Sequence, residues 1–302
     1  MSITFIAEVG SNYNNSLELA KKYILSAKHA GADWVKFQTI RKEKLIAPNV
    51  RSGEHWISHP AWNSFANLEL SEEWHIELKA EADRVGIKFL CTPLYVEAVA
   101  FLEKICVSAY KVASGDLTFS PLLREIGRTG KPVYLSTGAS MLLEIDQAIS
   151  TLQGSGSGPI SLLHCVVSYP PRWSELNLKA IPTMKRTWGL PVGLSDHSPG
   201  SLAPLLGIAL GAEVIEKHVT FGRECAGPDH AFAMTFEEFL EMTQQAQTAL
   251  QALGTLEKKP SPSETERLHR FRRGVYDPQT YKPVPEGTEG AIWLRPDPSR
   301  SF

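Results

Sequence analysis

Two histidines follow consecutive apolar segments in nearly the same setting. His197 ends the run "LPVGLSDH" and His218 ends the run "EVIEKH", one strand-and-helix unit later. Imidazole bound together with the carboxylates of Glu8, Glu216 and Asp229 would favour Mn²⁺, Zn²⁺, Fe²⁺ or Co²⁺ over Ca²⁺. The spacing therefore indicates a metal site, and the alternative is that each histidine is structural.

Lysines and hydroxyl residues lie at the ends of other apolar segments. Lys36 and Lys111 are the lysines, and they are accompanied by Thr92, Ser114 and Ser136. A lysine that points into a pocket loses hydration unless an anion pairs with it. The set predicts a pocket for phosphate, or for phosphate plus carboxylate; the alternative is pairing of the lysines with Glu8 or Asp116.

The elements that must position these residues alternate along the chain. Helical periodicity follows Ser16 in "SLELAKKYILSAKHAG" and Ser71 in "SEEWHIELKAEADRVG", and both serines are N-cap candidates. A glycine follows each of several helical segments, at Gly31, Gly86, Gly130, Gly189 and Gly211. The apolar, strand-like segments are eight in number: "ITFIAEV", "DWVKFQT", "IKFLCT", "SAYKVAS", "PVYLST", "ISLLHC", "LPVGLSD" and "EVIEKHV".

Alternating strands and helices imply parallel strands joined by crossovers, and eight units fit an α/β fold of the (β/α)₈ TIM-barrel type over residues 1–253. The alternative is a doubly wound open sheet, but the first turn, "GSNYNNS", lacks its glycine pattern. Because a barrel carries its active site where the strands end, and side chains alternate along a strand, the polar residues above should form one inward ring.

Composition restricts the partners. With 31 basic and 33 acidic side chains the formal net charge is −2, which gives no reason to expect nucleic acid or an anionic membrane as a partner. No window reaches the roughly 18 apolar residues of a membrane span, and we expect a cytoplasmic protein. The four cysteines are Cys91, Cys106, Cys165 and Cys225, and their spacing is not that of a metal site. We therefore expect them to be buried free thiols that form no disulfide and bind no zinc.

The chain changes character after residue 253. Residues 254–263 read as a linker, and residues 264–302 as a short appendage rich in proline, with no strand or helix period of useful length beyond "ETERLHRFRR". We expect a barrel with a small C-terminal tail.

Eight motifs in sequence order resemble those of the N-acetylneuraminate (sialic acid) synthases and related nonulosonic acid synthases. They run from residue 5 to about residue 240: "FIAEVGSN", "AGADWVKFQT", "YKVASGDLTFSPLL", "GKPVYLSTG", "LLHCVVSYP", "VGLSDHSPG", "GAEVIEKHVTF" and "GPDHAFA". The resemblance implies a metal-dependent condensation of phosphoenolpyruvate with N-acetylmannosamine or a related amino sugar. The product would be a 2-keto-3-deoxy nonulosonic acid such as N-acetylneuraminate, with phosphate released by C–O cleavage.

The resemblance also implies roles for individual residues. His197 and His218 would bind Mn²⁺ or Mg²⁺, with Co²⁺ also possible, and Glu8, Asp116 and Lys111 would be catalytic. The implied phosphoenolpyruvate-binding residues are Lys36, Thr92, Lys111, Ser114, Ser136 and Ser195. The implied sugar-binding residues are Gln38, Tyr169, Asp229 and Arg295. The alternatives are another phosphoenolpyruvate-dependent aldose synthase, a metal-dependent aldolase, or an impaired barrel that binds phosphoenolpyruvate without turnover.

Several positions depart from the family pattern. Tyr13 follows Asn12 where the family has Asn-His, Tyr95 replaces an acid in "CTPLY", and Val167 replaces Asn or Ser. These changes lie on the sugar side and leave the acceptor open. The tail "PEGTEGAIWLRP" resembles the start of the family's antifreeze-like domain, whose arginine Arg295 would match. The resemblance implies a homodimer, weakened by the short tail.

Overall fold

Eight parallel strands close into a barrel in the computed structural model, which describes residues 3–297. Each strand pairs with the next along the chain, and the first pairs with the last, with Thr4 opposite Val214. This closure confirms the TIM barrel and excludes the open sheet. The strands are β1 (Thr4–Glu8), β2 (Trp34–Thr39), β3 (Lys88–Pro93), β4 (Tyr110–Val112), β5 (Val133–Ser136), β6 (Ile160–Cys165), β7 (Val192–Asp196) and β8 (Val214–Thr220).

One long helix follows each strand. The predicted N-caps are present, since the Ser16 and Ser71 hydroxyls accept from the backbone N–H groups of Leu19 and Trp74. The five glycines predicted after helices all have positive φ, the conformation that ends a helix at low cost. The helices are α1 (Leu17–His29), α2 (Glu72–Val85), α3 (Glu97–Lys104), α4 (Ser120–Arg128), α5 (Leu142–Gly154), α6 (Ala180–Trp188), α7 (Leu202–Ala209) and α8 (Phe236–Leu253).

Alternation along the strands produces two layers inside the barrel. The upper layer, at the carboxyl ends of the strands, is polar and includes Glu8, Lys36 and Lys111. Two residues before each of these lies a member of a separate buried apolar cluster, and side chains two apart share a face. The cluster consists of Ile6, Trp34, Leu90, Ala109, Leu163 and Val214. The polar ring therefore rests on an apolar floor that excludes water from below.

The loops contain elements that the sequence did not predict. An antiparallel hairpin, Asn49–Ser52 with His55–Ser58, follows β2 and lies between the short helices Lys42–Leu45 and Trp62–Ala66. A two-residue strand, Met234–Thr235, pairs in parallel with the end of β8. The hairpin is exposed on nearly every residue, which explains why it carries no apolar alternation.

A second compact unit begins at Gly254, directly after α8. It contains helices Pro262–Thr265 and Leu268–Phe271, and the antiparallel strand pair Gly274–Tyr276 and Ile292–Leu294. The segment 254–263, which the sequence suggests is a linker, overlaps the first of these helices at its end, and the tail contains strands that no period in the sequence indicates. Three-residue strands are too short to give a period that can be read from sequence.

The four cysteines are free thiols, Cys91 and Cys165 buried but Cys106 and Cys225 exposed. The expectation of burial was therefore wrong for two of them, which lie in loops outside the barrel wall. In residues 3–297, no helix combines the length and apolar character needed to cross a bilayer.

Candidate active site

A cavity of about 150 Å³ opens at the carboxyl ends of the barrel strands. It gathers most of the residues singled out from the sequence: Glu8, Lys36, Gln38, Thr92, Lys111, Ser114, Ser136, Tyr169, Ser195, His197, Glu216 and His218. The remaining lining residues are Ala113, Gly115, Cys165 and Val167. Asp116, Asp229 and Arg295 are not part of this lining.

Lys36 forms a buried ionic cluster with two glutamates. Its Nζ lies 2.9 Å from Glu216 Oε2 and 3.3 Å from Glu8 Oε2, and all three side chains are almost inaccessible. Burial opposes the charge on Lys36, but Glu216 and Glu8 together outweigh it and raise its pKa. The alternative of pairing with Glu8 is therefore present in the structure, with Glu216 as the nearer partner.

Lys111 is held differently. Its Nζ donates to the Val112 carbonyl at 2.9 Å and to Ser136 Oγ at 2.6 Å, while Glu216 Oε1 is 3.9 Å away. Burial lowers the pKa of Lys111 to about 8, although Glu216 acts in the opposite direction. An arriving anion would restore the charge balance that this lysine lacks.

Hydroxyl groups surround the two lysines. Thr92 Oγ1 is buried and has no hydrogen-bond partner within the described chain, so it is available to a ligand. Ser195 Oγ donates to Glu216 Oε1 at 2.8 Å, and Ser114 Oγ accepts from the Gly138 N–H at 3.0 Å. The donors converge on one small volume, as an oxyanion ligand requires.

Glu8 is the cavity's candidate proton donor. Burial raises the pKa of its carboxyl, an effect that Lys36 only partly offsets. Gln38 Nε2 donates to Glu8 Oε1 at 2.5 Å, and the register places Glu8 opposite His218. A carboxyl group whose pKa is raised in this position can take up and release a proton near the histidines.

The two histidines face each other across the cavity, with ring centroids 5.4 Å apart. His197 Nδ1 lies 3.4 Å from the Val166 carbonyl, so its N–H donates there and leaves Nε2 with a free lone pair. Burial, followed by the neighbouring His218, lowers the pKa of His197 to about 3. A neutral imidazole of this kind is what a metal ligand requires.

The surroundings of His218 are equally open. Its Nδ1 is buried without a hydrogen-bond partner among residues 3–297, and the nearest carboxylate oxygen, Asp229 Oδ2, is 3.9 Å away. Ser11 fixes Asp229 by donating from its hydroxyl at 3.0 Å. Gly10 completes the corner with φ +55°, and a Cβ there would lie 2.7 Å from Asp229 Oδ2 and 3.2 Å from His218 Cε1.

The expected carboxylate shell around the histidines is not formed. Glu8 and Glu216 turn toward Lys36 instead, because a buried ammonium group needs their charge. Within residues 3–297, no group of three or more His, Cys, Asp and Glu side chains is arranged to hold a metal ion. Two imidazoles remain as candidate ligands, with Asp229 close to one of them.

Asp116 and Arg295, like Asp229, are predicted site residues that do not line the cavity. Asp116 ends a 3₁₀ turn, Ser114–Asp116, that follows β4, and burial raises its pKa to about 6 against the opposing effect of Lys111. Arg295 belongs to the second unit, where its guanidinium lies 6.0 Å from the centroid of the Phe271 ring. The sugar-binding role of Arg295 stays a prediction.

Phe232 is a site residue that the sequence analysis did not single out. Its ring centroid lies 5.1 Å from that of His218, 5.9 Å from that of His197 and 5.5 Å from that of Tyr169. Together with Tyr169, which is 4.4 Å from His197, it forms an aromatic wall beside the imidazoles. The only signal was its place in "GPDHAFA", two residues after His230.

Comparisons with known proteins agree with this architecture. A sequence profile described as the NeuB family matches residues 23–258. An uncharacterized protein of Methanocaldococcus jannaschii is 44% identical over 270 residues, which cover 89% of this chain and 77% of that protein. The N,N'-diacetyllegionaminic acid synthase of Legionella pneumophila is 38% identical over 284 residues, covering 91% of this chain and 80% of the enzyme.

Solved structures give the same result. The N-acetylneuraminic acid (sialic acid) synthetase of Leptospira borgpetersenii, crystallised with citrate, superposes with a TM-score of 0.80 at 34% identity. The match covers 88% of this chain and 90% of that one. The profile, the relatives and the structure agree, and the chain belongs to the NeuB family, the family of sialic acid and related nonulosonic acid synthases.

Proposed function

We propose that this enzyme condenses phosphoenolpyruvate with the open-chain form of an N-acetylated aldose and releases inorganic phosphate. The acceptor is N-acetylmannosamine or a related amino sugar, and the product is a 2-keto-3-deoxy nonulosonic acid. One observation carries the proposal. A single cavity combines two buried lysines, converging hydroxyls and a facing pair of histidines. The family relationship supports the same reaction class.

The lysines hold the phosphoenolpyruvate anion. Burial lowers the pKa of Lys111, and Glu216, 3.9 Å away, opposes this only in part. Lys36 is oriented by Glu216 and Glu8. The phosphate and carboxylate groups of the ligand supply the missing negative charge, and Thr92 Oγ1 gains the partner that it lacks. Binding is thus driven by groups that are incompletely satisfied in the free enzyme.

A divalent metal, Mn²⁺, Mg²⁺ or Co²⁺, fits the two imidazoles. The unpartnered Nδ1 of His218 and the neutral ring of His197 are donors suited to such an ion, and His197 and His218 would hold it. When bound, the metal would supply Lewis-acid polarisation of the sugar aldehyde.

The remaining steps depend on side chains of the cavity. C3 of phosphoenolpyruvate forms the new bond to the aldehyde carbon, and positive charge develops at C2. Glu216, which is ionised because Lys111 and Lys36 overcome the burial effect and lower its pKa to about 2, can stabilise that charge. Glu8, whose pKa is raised by burial, can donate a proton to the aldehyde oxygen. Water then adds at C2 and returns one proton to Glu8. The C–O bond to the bridging oxygen breaks as the C2 carbonyl forms, and the departing phosphate takes the proton of the new hydroxyl.

Oligomeric state and location remain predictions. We expect a homodimer, and a cytoplasmic protein without nucleic-acid or membrane partners.

The decisive experiment measures phosphate release from phosphoenolpyruvate labelled with ¹⁸O in the bridging position. The assay contains Mn²⁺ and compares N-acetylmannosamine, its 6-phosphate, related amino sugars and no sugar. We expect sugar-dependent release of phosphate that retains the label, since C–O cleavage transfers the bridging oxygen to phosphate. Unlabelled phosphate would show P–O cleavage and would overturn the mechanism.

Paired variants assign the reaction to this cavity. Lys36→Met removes the anion site, whereas Lys104→Met removes an exposed lysine at the end of α3. We expect only the first variant to lose turnover. Phosphoenolpyruvate binding without turnover, with every sugar and metal tried, would favour the impaired barrel instead.

A further inference from the structure

We infer that a buried clamp made of Asp196, Ser198 and Lys217 positions His197 relative to His218. The three residues lie on the outer side of the barrel wall, behind the cavity, and none lines it. The inference rests on the proposed function in so far as the two histidines form the metal site. Asp196, Ser198 and Lys217 are positioning residues, because they act through the strand ends that carry the imidazoles.

The register between β7 and β8 shows how the clamp works. Ser195 is opposite Glu216, and Asp196 is opposite Lys217. Because side chains alternate, the first pair points into the barrel and the second points outward. His197 and His218 come next and point inward again. The outward ion pair is thus the last residue pair between β7 and β8 before the two histidines.

Lys217 donates hydrogen bonds to the residues on both sides of His197. Its Nζ donates to Asp196 Oδ2 at 2.8 Å and also to the carbonyl oxygen of Ser198. Asp196 in turn accepts from the Ser198 N–H at 3.0 Å and from the Ser198 hydroxyl at 2.9 Å. β7 ends at Asp196, and its backbone pairing with β8 ends there too. Beyond that point these side-chain contacts connect the two chain segments. The backbone of His197 is consequently tied to β8.

Burial argues that the pair has a purpose beyond stability. Lys217 is 1% exposed, Asp196 2% and Ser198 0%. Other outward positions of the barrel strands, such as Phe5 and Phe37, are apolar and pack under the helices. A buried ion pair often stabilises a fold no better than apolar side chains of the same volume, and in some proteins it instead fixes the geometry of its surroundings. The clamp is therefore placed where precision in histidine position is needed.

Three variants test the clamp: Asp196→Asn, Lys217→Met and the double variant. Each single change leaves one buried polar partner without its counterpart, and the double change removes both charges. Mn²⁺ binding is measured by electron paramagnetic resonance, phosphoenolpyruvate binding by calorimetry, and Tm by calorimetric scanning. Residues that orient metal ligands typically affect metal affinity on the order of 10- to 100-fold.

We expect both single variants to lose Tm and to bind Mn²⁺ at least about 10-fold more weakly. The double variant should regain much of the Tm, since no charge is stranded, but should still bind Mn²⁺ weakly. Phosphoenolpyruvate affinity without metal should stay within about threefold in the double variant, because Lys36 and Lys111 are untouched. Recovery of Mn²⁺ affinity together with Tm would show a merely structural pair and would overturn the inference.

A metal-free measurement separates this inference from the proposed function. Long-range ¹H–¹⁵N spectra report the ring tautomer of His197, which the Val166 carbonyl holds with the proton on Nδ1. We expect a single tautomer in the wild-type protein and a mixture in the double variant. If wild-type protein fails to bind Mn²⁺, the metal proposal fails while this readout still judges the clamp. An unchanged tautomer in the double variant would overturn it.

A matched control uses the ion pair of Lys185 and Glu213. Glu213 lies immediately before β8 and bonds Lys185 of α6 at 2.5 Å, but both side chains are about one third exposed. Lys185→Met with Glu213→Gln should leave Mn²⁺ affinity and the His197 tautomer unchanged. Equal effects in this control would show that any disturbance of the β8 region moves the histidines, and would contradict a specific clamp.

Discussion

Glu216 contacts Lys36 at 2.9 Å in the interior of the barrel, and each side chain is only 5% exposed. The same carboxylate accepts from Ser195 and lies 3.9 Å from Lys111. One glutamate therefore sets the charge of both lysines that are proposed to hold the substrate anion. Its removal should change stability and binding in opposite directions.

Glu216→Gln should lower the free energy of unfolding by on the order of 3 kcal/mol, because it strands part of the Lys36 charge in the interior. Phosphoenolpyruvate should raise Tm more in this variant than in the wild type. Without the Glu216 carboxylate, the ligand no longer competes with a negative charge for Lys36 and Lys111. Scanning calorimetry with and without phosphoenolpyruvate measures both effects. Glu213→Gln, which breaks a partly exposed pair, should cost less than about 1 kcal/mol. Ligand stabilisation in wild type but none in Glu216→Gln would contradict this account.

The sequence predicted the barrel and the inward polar ring because both follow from local periodicity. Glu8, Lys36 and His218 each occupy an inward-facing position near the end of a strand, and the register places Lys36 and His218 on either side of Glu8. Closure of the sheet is enough to bring them together. The Lys217 and Asp196 pair could also have been suspected, because charges at outward positions of buried strands are unusual. The partner of a charge, however, depends on register between distant segments.

The sequence could not predict which of several possible partners a buried charged side chain contacts. Glu216 was expected beside the histidines, but it turns to Lys36, because a buried ammonium group without a partner is costly. Phe232 escaped notice for a related reason. It comes from a loop after β8, where no period constrains the direction of a side chain.

Lys111 should give the enzyme an alkaline limit. Burial lowers its pKa to about 8, so the ammonium form is present below that pH and is lost as pH rises through it. The ratio kcat/KM for phosphoenolpyruvate should fall above about pH 8, since this ratio reports the free enzyme. Initial rates between about pH 6.5 and 9.5 measure this limit. The control variant is Lys79→Met, which changes a lysine of helix α2 outside the cavity and should keep the wild-type pH profile. A flat profile across that range would show that the Lys111 charge is not required.

Asp116 should couple activity and stability with opposite signs. Burial raises its pKa to about 6, so folding favours the neutral form, and this contribution is lost as pH rises through that value. Asp116→Asn should therefore raise Tm clearly at about pH 7.5 and much less at about pH 4.5, where the native carboxyl is already neutral. If Asp116 acts as a base, the same variant should lose roughly 10²- to 10⁴-fold in kcat. Calorimetry and rate measurements at both pH values separate the two effects, and an equal Tm shift at both would refute the burial argument.

Thr92 should matter for binding but not for folding. Its hydroxyl is buried without a partner in the described chain, so Thr92→Val removes an unsatisfied group and should leave Tm unchanged or slightly higher. Phosphoenolpyruvate affinity should fall by about 10-fold, the loss expected for one hydrogen bond to a charged group. Thr137→Val is the counterpart, because the Thr137 hydroxyl donates to the Leu163 carbonyl at 3.0 Å. That variant should lose about 1 kcal/mol of stability. A destabilised Thr92→Val with unchanged affinity would reverse the assignment.

Gly10→Ala should damage the histidine corner without a large loss of fold stability. Gly10 has φ +55°, and an added Cβ would lie 2.7 Å from Asp229 Oδ2 and 3.2 Å from His218 Cε1. Gly86→Ala is the matched control, since Gly86 has φ +72° and a Cβ added there would meet no atom within 4 Å. Both variants should lose about 1 to 2 kcal/mol from the left-handed backbone. Only Gly10→Ala should also lose Mn²⁺ affinity and turnover, because only there must His218 and Asp229 move. Equal Mn²⁺ binding by the two variants would contradict the assignment of the metal site to this corner of the cavity.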